Sequence, residues 1–517
     1  MGYRNLGSKA HSVIHFTCIS GIAVGLPLNK VVLSLSLMLG VLNLFIEADF
    51  RAWIKKILGN RFFLMIAGFW LLHVLGLLWS SELDFGLRDI RVKLPLLVIP
   101  FLLTIKPLKK GEVKTVVVLF LVSTLITSLL NFVFYQGWIG SIVYDDIRGM
   151  SLFGSHIRYG VMVGFAAITA LYLFIFGEDR LKWLWLLCLT WFLYYTWYSQ
   201  VISGFLALIA GLSALILLYL YKKRPVYAMI FGASLLLFPL SIILWIYNGE
   251  TEKGITPSDL HQLPKFTVEG NPYVHYFVDI RDSRGNYLYI NFCENEIERE
   301  WNKSSELPYY GEDLKGQKVR FTLIRYMTSK GLRKDAADFK KLTSEDIRNI
   351  ENGIAEFEDS RGGIMARLHS IRYQLRSEAD PNGHSLLQRL EFWETGGQII
   401  REHFLIGVGT GDVQLAFDEQ YKKNKSPLFK ENRLRAHNTY LTVWITFGVL
   451  GILFFFALGL YSGEMFSTQN YLGFAFILVT LSTFLIEDSL ETQAGVTFFA
   501  FFWALFSSSE WPKINPS

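Results

Sequence analysis

The densest group of chemically capable side chains in the sequence is Arg435-Ala436-His437-Asn438, which a run of nine residues separates from Gly448 and, three further on, Gly451. An imidazole ordinarily titrates near neutral pH and can take a proton from a hydroxyl. A guanidinium offers paired donors and a permanent charge suited to phosphate oxygens. Asn438 adds a donor and an acceptor, so His437 is a candidate catalytic residue and Asn438 and Arg435 are candidate substrate contacts. The apolar run beginning at Tyr440 is long enough to span a bilayer, which puts His437 at a water-lipid boundary. Two readings are open there: a proton acceptor beside a lipid-borne substrate, or an interfacial histidine that anchors a helix end.

The rest of the chain supplies the scaffold. Its 517 residues are 51% hydrophobic and 15% aromatic, and the apolar residues come in long runs. The expected architecture is an all-α polytopic membrane protein of about twelve spans, near 12–28, 31–46, 62–80, 94–105, 113–135, 157–177, 183–199, 201–221, 225–247, 438–461, 471–487 and 492–508. Span four is short and follows Arg88, Asp89, Arg91 and Lys93, so it is expected to be tilted, broken or partly buried in protein. Lys and Arg in the short loops favour a cytoplasmic N-terminus, which leaves both termini inside and the long loop outside. The first span is read as its own insertion signal, without a cleavage site. The expected division is 1–247 for spans one to nine, 248–436 for the outer loop domain, and 437–517 for spans ten to twelve with a tail. Cys293 is the single outer-loop cysteine, so no disulfide framework is inferred.

In the outer loop, Tyr273–Ile280 and Tyr287–Phe292 flank turn chemistry at 281–286 and read as a β-hairpin. Thr343-Ser-Glu-Asp346 reads as a helix cap. Further helices are expected near 363–378, 385–403 and 411–422, which makes the domain mixed α/β. His384 sits in the turn Asn382-Gly383-His384 and is counted with the substrate-binding candidates. Gly407-Val-Gly-Thr-Gly411-Asp412 is open to two readings, backbone N–H groups aimed at phosphate or a tight turn between helices. It is not a dinucleotide fingerprint. The run Glu294, Glu296, Glu298, Glu300 reads as a solvated acidic face.

Walker, CxxC, HExxH and GxSxG motifs are absent from the sequence. Neither a metal, a cofactor nor a nucleic-acid partner is expected. Arg158, at the start of span six, and Arg91, before span four, lie on the expected outer side, against the orientation bias, and are candidate substrate contacts. The cations Lys422, Lys423, Lys425, Lys430, Arg433 and Arg435 are open to two readings, a contact for anionic lipid headgroups or a lipid diphosphate, or a solvated flank that fixes topology.

With these residues in view, the chain resembles the O-antigen ligase and polymerase superfamily of bacterial envelope glycosyltransferases. The resemblance covers the layout of about twelve spans, the large external loop between the ninth and tenth, and a His-Asn-x9-Gly-x-x-Gly element that His437, Asn438, Gly448 and Gly451 match at every defined position. Gln388-Arg389-Leu-Glu-Phe-Trp393, followed by Phe404 to Gly411, is similar to the family's arginine-containing helix and glycine turn. One departure stands out. Members commonly carry an arginine shortly before the start of the eighth span, where this chain reads Ser199-Gln200-Val-Ile-Ser203-Gly204, and Arg158 or Arg91 is left to take that role.

The resemblance implies a metal-independent, inverting transferase in the bacterial inner membrane with its site facing the periplasm. The donor would be a glycan on undecaprenyl diphosphate and the acceptor a sugar hydroxyl of lipid A-core, with His437 as base or acceptor-orienting residue and Arg389 neutralising the diphosphate. A polysaccharide polymerase or an O-linked protein oligosaccharyltransferase would share the donor chemistry. A lipid-linked sugar transporter is a further alternative, opposed by the lack of an internal repeat and the scarcity of ionisable residues in mid-span.

Overall fold

The computed structural model describes residues 2–47, 49–140, 147–177, 180–248, 263–277, 282, 286–314, 316–357, 381–383, 385–461, 465 and 470–508. They fall into two compact units, one formed by Met1–Gly232 with Arg389–Ser517 and the other by Ala233–Gln388. The stretch 389–436, expected in the outer loop domain, groups with the apolar helices.

In the first unit the apolar runs fold as helices because a chain without water must satisfy its backbone internally. Among the described residues seven are long and apolar enough to cross a membrane: Lys9–Leu28, Lys30–Glu47, Arg61–Trp79, Lys110–Tyr135, His156–Phe176, Ile202–Lys223 and Thr439–Leu460. Tyr471–Ile486 and Gln493–Ser507 are apolar but shorter. Helix Pro95–Ile105, the short fourth segment, starts on one proline and contains Pro100, and Leu96, Ile99, Leu102 and Leu103 are fully buried within the protein. The polypeptide around this helix, rather than lipid, covers its apolar surface.

Helix Thr439–Leu460 is bent, whereas the sequence reads as one straight span. Gly448 adopts φ 65° and ψ −163°, and the ring of Tyr440 lies 5.8 Å from that of Phe456. Sixteen residues of straight helix would separate them by about 24 Å. The break receives the glycine turn: Val408 and Gly409 donate their N–H groups to Ile445 O (2.9 Å) and Thr446 O (3.0 Å), and Val449 N–H donates to Phe404 O (2.8 Å). A Cβ on Gly448 would stand 2.2 Å from the carbonyl of Leu405, and one on Gly407 2.4 Å from the carbonyl of Thr446. Gly448→Ala is therefore expected to lower stability by at least about 1–3 kcal/mol from the left-handed backbone alone. Thermal unfolding in detergent checks this, and an unchanged melting temperature would count against the bend.

The second unit has its own core around Trp301, Tyr309, Leu323, Tyr326 and Ile350. Thr343 and Asp346 form the expected capping box at the start of Ser344–Glu351. The expected hairpin is reduced, among the described residues, to an isolated bridge between Val274 and Phe292 with a further Tyr276 N–H to Tyr289 O bond of 2.8 Å; no strand is formed there. Most of its turn and of its first arm beyond Phe277 lies outside the described residues, as does the helix expected at 363–378. Glu296 departs from the expected solvated face. It is buried and accepts hydrogen bonds from Thr267 Oγ1 (2.6 Å), Asn271 Nδ2 (2.8 Å) and Ala336 N (2.8 Å), which hold its carboxyl below the usual range against the opposing effect of burial.

Candidate active site

Helix Ser385–Glu402 places Arg389, Phe392 and Trp393 on one face by their i, i+3, i+4 spacing. All three meet the stretch around His437 or its carboxylate. Trp393 Nε1 donates to Ala436 O at 2.9 Å, Phe392 stacks on the His437 ring at 5.7 Å and 29°, and Arg389 Nη2 donates to Glu487 Oε1 at 3.2 Å. The second oxygen of Glu487 lies 3.8 Å from His437 Nδ1, an ion-pair distance once the imidazole is protonated. Glu487 thus stands between the two expected catalytic residues. It is 7% exposed, while His437 keeps 34% of its side chain open.

His437 has φ 47°, a left-handed backbone that costs a non-glycine residue roughly 1–3 kcal/mol and persists only where its surroundings enforce it. Asp488 does so. Its carboxylate accepts the N–H groups of His437 (3.0 Å) and Asn438 (3.0 Å) and the hydroxyl of Thr442 (2.6 Å). Burial and the neighbouring Glu491 push the Asp488 carboxyl above the usual carboxylate range, while Thr442, Arg435 and His437 act in the opposite sense. Asn438 caps the helix by accepting from Leu441 N (3.1 Å) and donates from Nδ2 to Leu485 O (3.1 Å).

Beneath this layer lies a closed ion cluster. Lys93 Nζ donates to Asp89 Oδ1 (2.5 Å) and Glu491 Oε1 (2.8 Å), and Arg435 Nη1 donates to Glu491 Oε2 (2.8 Å) while its guanidinium stacks over Phe85 at 5.3 Å. The space enclosed by these groups with His73, Thr410 and Asp488 is only about 10 Å³, room for a single water at most. Arg435 is here part of the frame. Burial opposes charge on both Arg435 and Lys93, but the surrounding carboxylates win and raise both above their ordinary values.

Two cations face three carboxylates in the cluster, so one carboxyl is driven to keep a proton. Burial, then Glu491, raises Asp89 from 3.8 to about 7, whereas Lys93 and Arg435 outweigh burial at Glu491 and hold it well below the usual range. A raised folded value for an acid means that Asp89's contribution to stability is complete below pH about 4 and is lost as pH rises through about 7; Glu491's runs the opposite way, lost as pH falls. The melting temperature of the intact protein relative to Asp89→Asn, which mimics the protonated carboxyl, is expected to drop between pH 5 and pH 8. A constant difference would refute the shared proton.

Arg158 lies elsewhere in the same unit. It lines a cavity of about 190 Å³ with Lys30, Thr127, Asn131, Ser155 and Thr492, within electrostatic reach of Glu487 and Asp488. Its Nε is buried without a hydrogen-bond partner among the described residues. Ser203 Oγ donates to Ile157 O at 2.7 Å, so Arg158 adjoins the position where the expected arginine of the eighth span is missing. Arg91 is exposed on helix Leu83–Val92, and Lys93 rather than Arg91 enters the cluster. His384 lies outside the described residues. The glycine turn does not present its N–H groups to a phosphate: Thr410 N–H and Gly411 N–H go to Gly76 O (3.3 Å) and Ser80 Oγ (2.9 Å), and the Asp412 carboxylate takes Ser81 and Glu82 N–H groups.

The sequence reading missed Glu487, Asp488 and Glu491. They are three acids within five residues between two apolar runs, and that pattern was the available clue, since carboxylates at such a place call for cations from other spans.

The helices and the site define a multi-pass membrane protein with a His-Glu-Arg group at its helix ends, supported by a buried ion cluster. The family model for O-antigen ligase matches residues 343–456, the stretch that holds Arg389, the glycine turn, His437 and Gly448. The match supports membership of the O-antigen ligase superfamily and a glycosyltransferase-like membrane enzyme of the ligase and polymerase family. Among curated proteins none matches the chain.

Proposed function

We propose that the protein transfers a glycan from undecaprenyl diphosphate to a sugar hydroxyl of lipid A-core, on the periplasmic face of the bacterial inner membrane and without a metal. In this reading the chain crosses the membrane about twelve times, with both termini in the cytoplasm and the loop from 248 to 436 outside. The observation that carries it is the placement of His437, partly open, beside a Glu487 shared with Arg389.

The acceptor oxygen attacks the anomeric carbon, its proton passes to the His437 imidazole, and the carbon-oxygen bond to the diphosphate breaks with its electron pair leaving on phosphate. In-line displacement inverts the anomeric centre. Arg389, with Arg158 as a second cation and Arg91 as an outer contact, balances the diphosphate charge. A diphosphate arriving at Arg389 competes with Glu487 for the guanidinium, and a released Glu487 is then available to the imidazolium 3.8 Å away. Asn438 holds the helix end that orients His437.

The test is transfer from purified undecaprenyl-diphosphate glycan to lipid A-core in detergent with chelator present. Transfer is expected. Lengthening of the glycan on its own lipid, with no product on lipid A-core, would reassign the protein as a polymerase. Modification of a protein acceptor alone would make it an oligosaccharyltransferase.

A further inference from the structure

The bend at Gly448 creates a feature that the transfer chemistry leaves unused. Below Tyr440, the second half of helix Thr439–Leu460 and the helices Tyr471–Ile486 and Gln493–Ser508 enclose a cavity of about 80 Å³. Its wall is almost wholly apolar, with the rings of Tyr440, Phe456, Phe484, Phe499 and Trp503 around it. They form a continuous chain of contacts: Tyr440 to Phe484 at 6.0 Å, Phe484 to Phe499 at 5.3 Å, Phe499 to Trp503 at 4.2 Å. The Tyr440 hydroxyl is spent on Leu481 O at 3.1 Å. An apolar void of this order stays dry and accepts apolar guests. Exposed Phe456 and Leu481 border it, at 52% and 41%, so it is reachable from the side.

Two of its walls lead to the polar site. Tyr440 lies three residues after His437 and Phe484 three before Glu487, so each is at most about 11 Å along the chain from its polar neighbour. A molecule with a diphosphate at Arg389 and Glu487 would have to place the first part of its tail within that distance. We infer that this cavity seats the proximal isoprenoid units of the lipid-linked donor, an inference that rests on the proposed donor chemistry. Bulk phospholipid would reach the same wall, and its displacement by undecaprenyl diphosphate distinguishes the two occupants.

Gly459 offers a way to close the cavity. It lines the wall, and a Cβ there would meet nothing within 4 Å. The experiment uses the full chain in nanodiscs with undecaprenyl diphosphate that carries a photoreactive group on an early isoprene unit. Crosslinks are expected at Phe455, Phe456 or the 476–484 stretch. Gly459→Phe is expected to weaken binding by about tenfold, the scale at which a hydrophobic pocket discriminates one small apolar group. Ile477→Trp serves as a second filling variant if Gly459→Phe melts early. Crosslinks confined to other helices would overturn the inference. So would labelling by a photoreactive phospholipid that unlabelled undecaprenyl diphosphate does not displace. Because binding is read without transfer, a tail seated here in a protein that transfers nothing would reject the proposed reaction and keep the site.

Discussion

Glycan transfer by His437→Ala is expected to fall by about 10²- to 10⁴-fold, the range a positioned general base contributes. The acceptor hydroxyl is a weak nucleophile until it sheds its proton, and the proposed reaction gives that proton to His437, which is partly exposed and has the backbone on both sides tied to Asp488. Alanine also keeps a left-handed backbone at 437, so His437→Asn is the informative companion: asparagine tolerates that conformation but cannot accept the proton. Both variants should melt like the intact protein, lose turnover at saturating donor, and bind undecaprenyl diphosphate normally. Glu487→Gln should cost less, because it removes the charge facing the imidazolium and leaves the base. Single-turnover transfer in detergent separates these cases. A His437→Asn enzyme that transfers at the intact rate would remove the imidazole from the chemistry and leave it an anchor of the helix end.

Lys93→Met is expected to cost about 3–5 kcal/mol of stability, the usual consequence of removing one partner from a buried ion pair. Lys93 is 2% exposed and lies between Asp89 and Glu491, so its loss leaves carboxylates facing each other in a space too small for more than one water. Arg435 can still neutralise Glu491, and Asp89 is left without the ammonium group it bonds to. The double variant Lys93→Met with Asp89→Asn should therefore recover most of the loss, an effect that a simple packing defect at position 93 would not show. Thermal unfolding of the single and double variants in one detergent gives the answer. Equal melting for Lys93→Met and the intact protein would mean that the cluster contributes nothing to the fold.

Much of the membrane architecture was legible in the sequence because length and apolarity decide whether a segment leaves water, and both are local properties. The stretches near 113–135, 157–177 and 201–221 are helices for that reason. His437 and Arg389 were singled out through a resemblance of motif and spacing, and the structure brings both beside Glu487. The bend at Gly448 was not, because an apolar run reads as one span whether or not a turn from forty residues upstream docks into it; the bonds from Val408 and Gly409 to Ile445 and Thr446 decide the geometry.

Side-chain type alone assigned Arg435 to substrate, yet its partner Glu491 is 56 positions away and takes the guanidinium into the frame. Sequence by itself determined which segments are helical and apolar and which residues could accept a proton or carry a fixed charge. Only the tertiary structure decided which cations remain near an open cavity and which are consumed by carboxylates, because ion pairing in a buried site depends on distances between helices, and no local pattern encodes them.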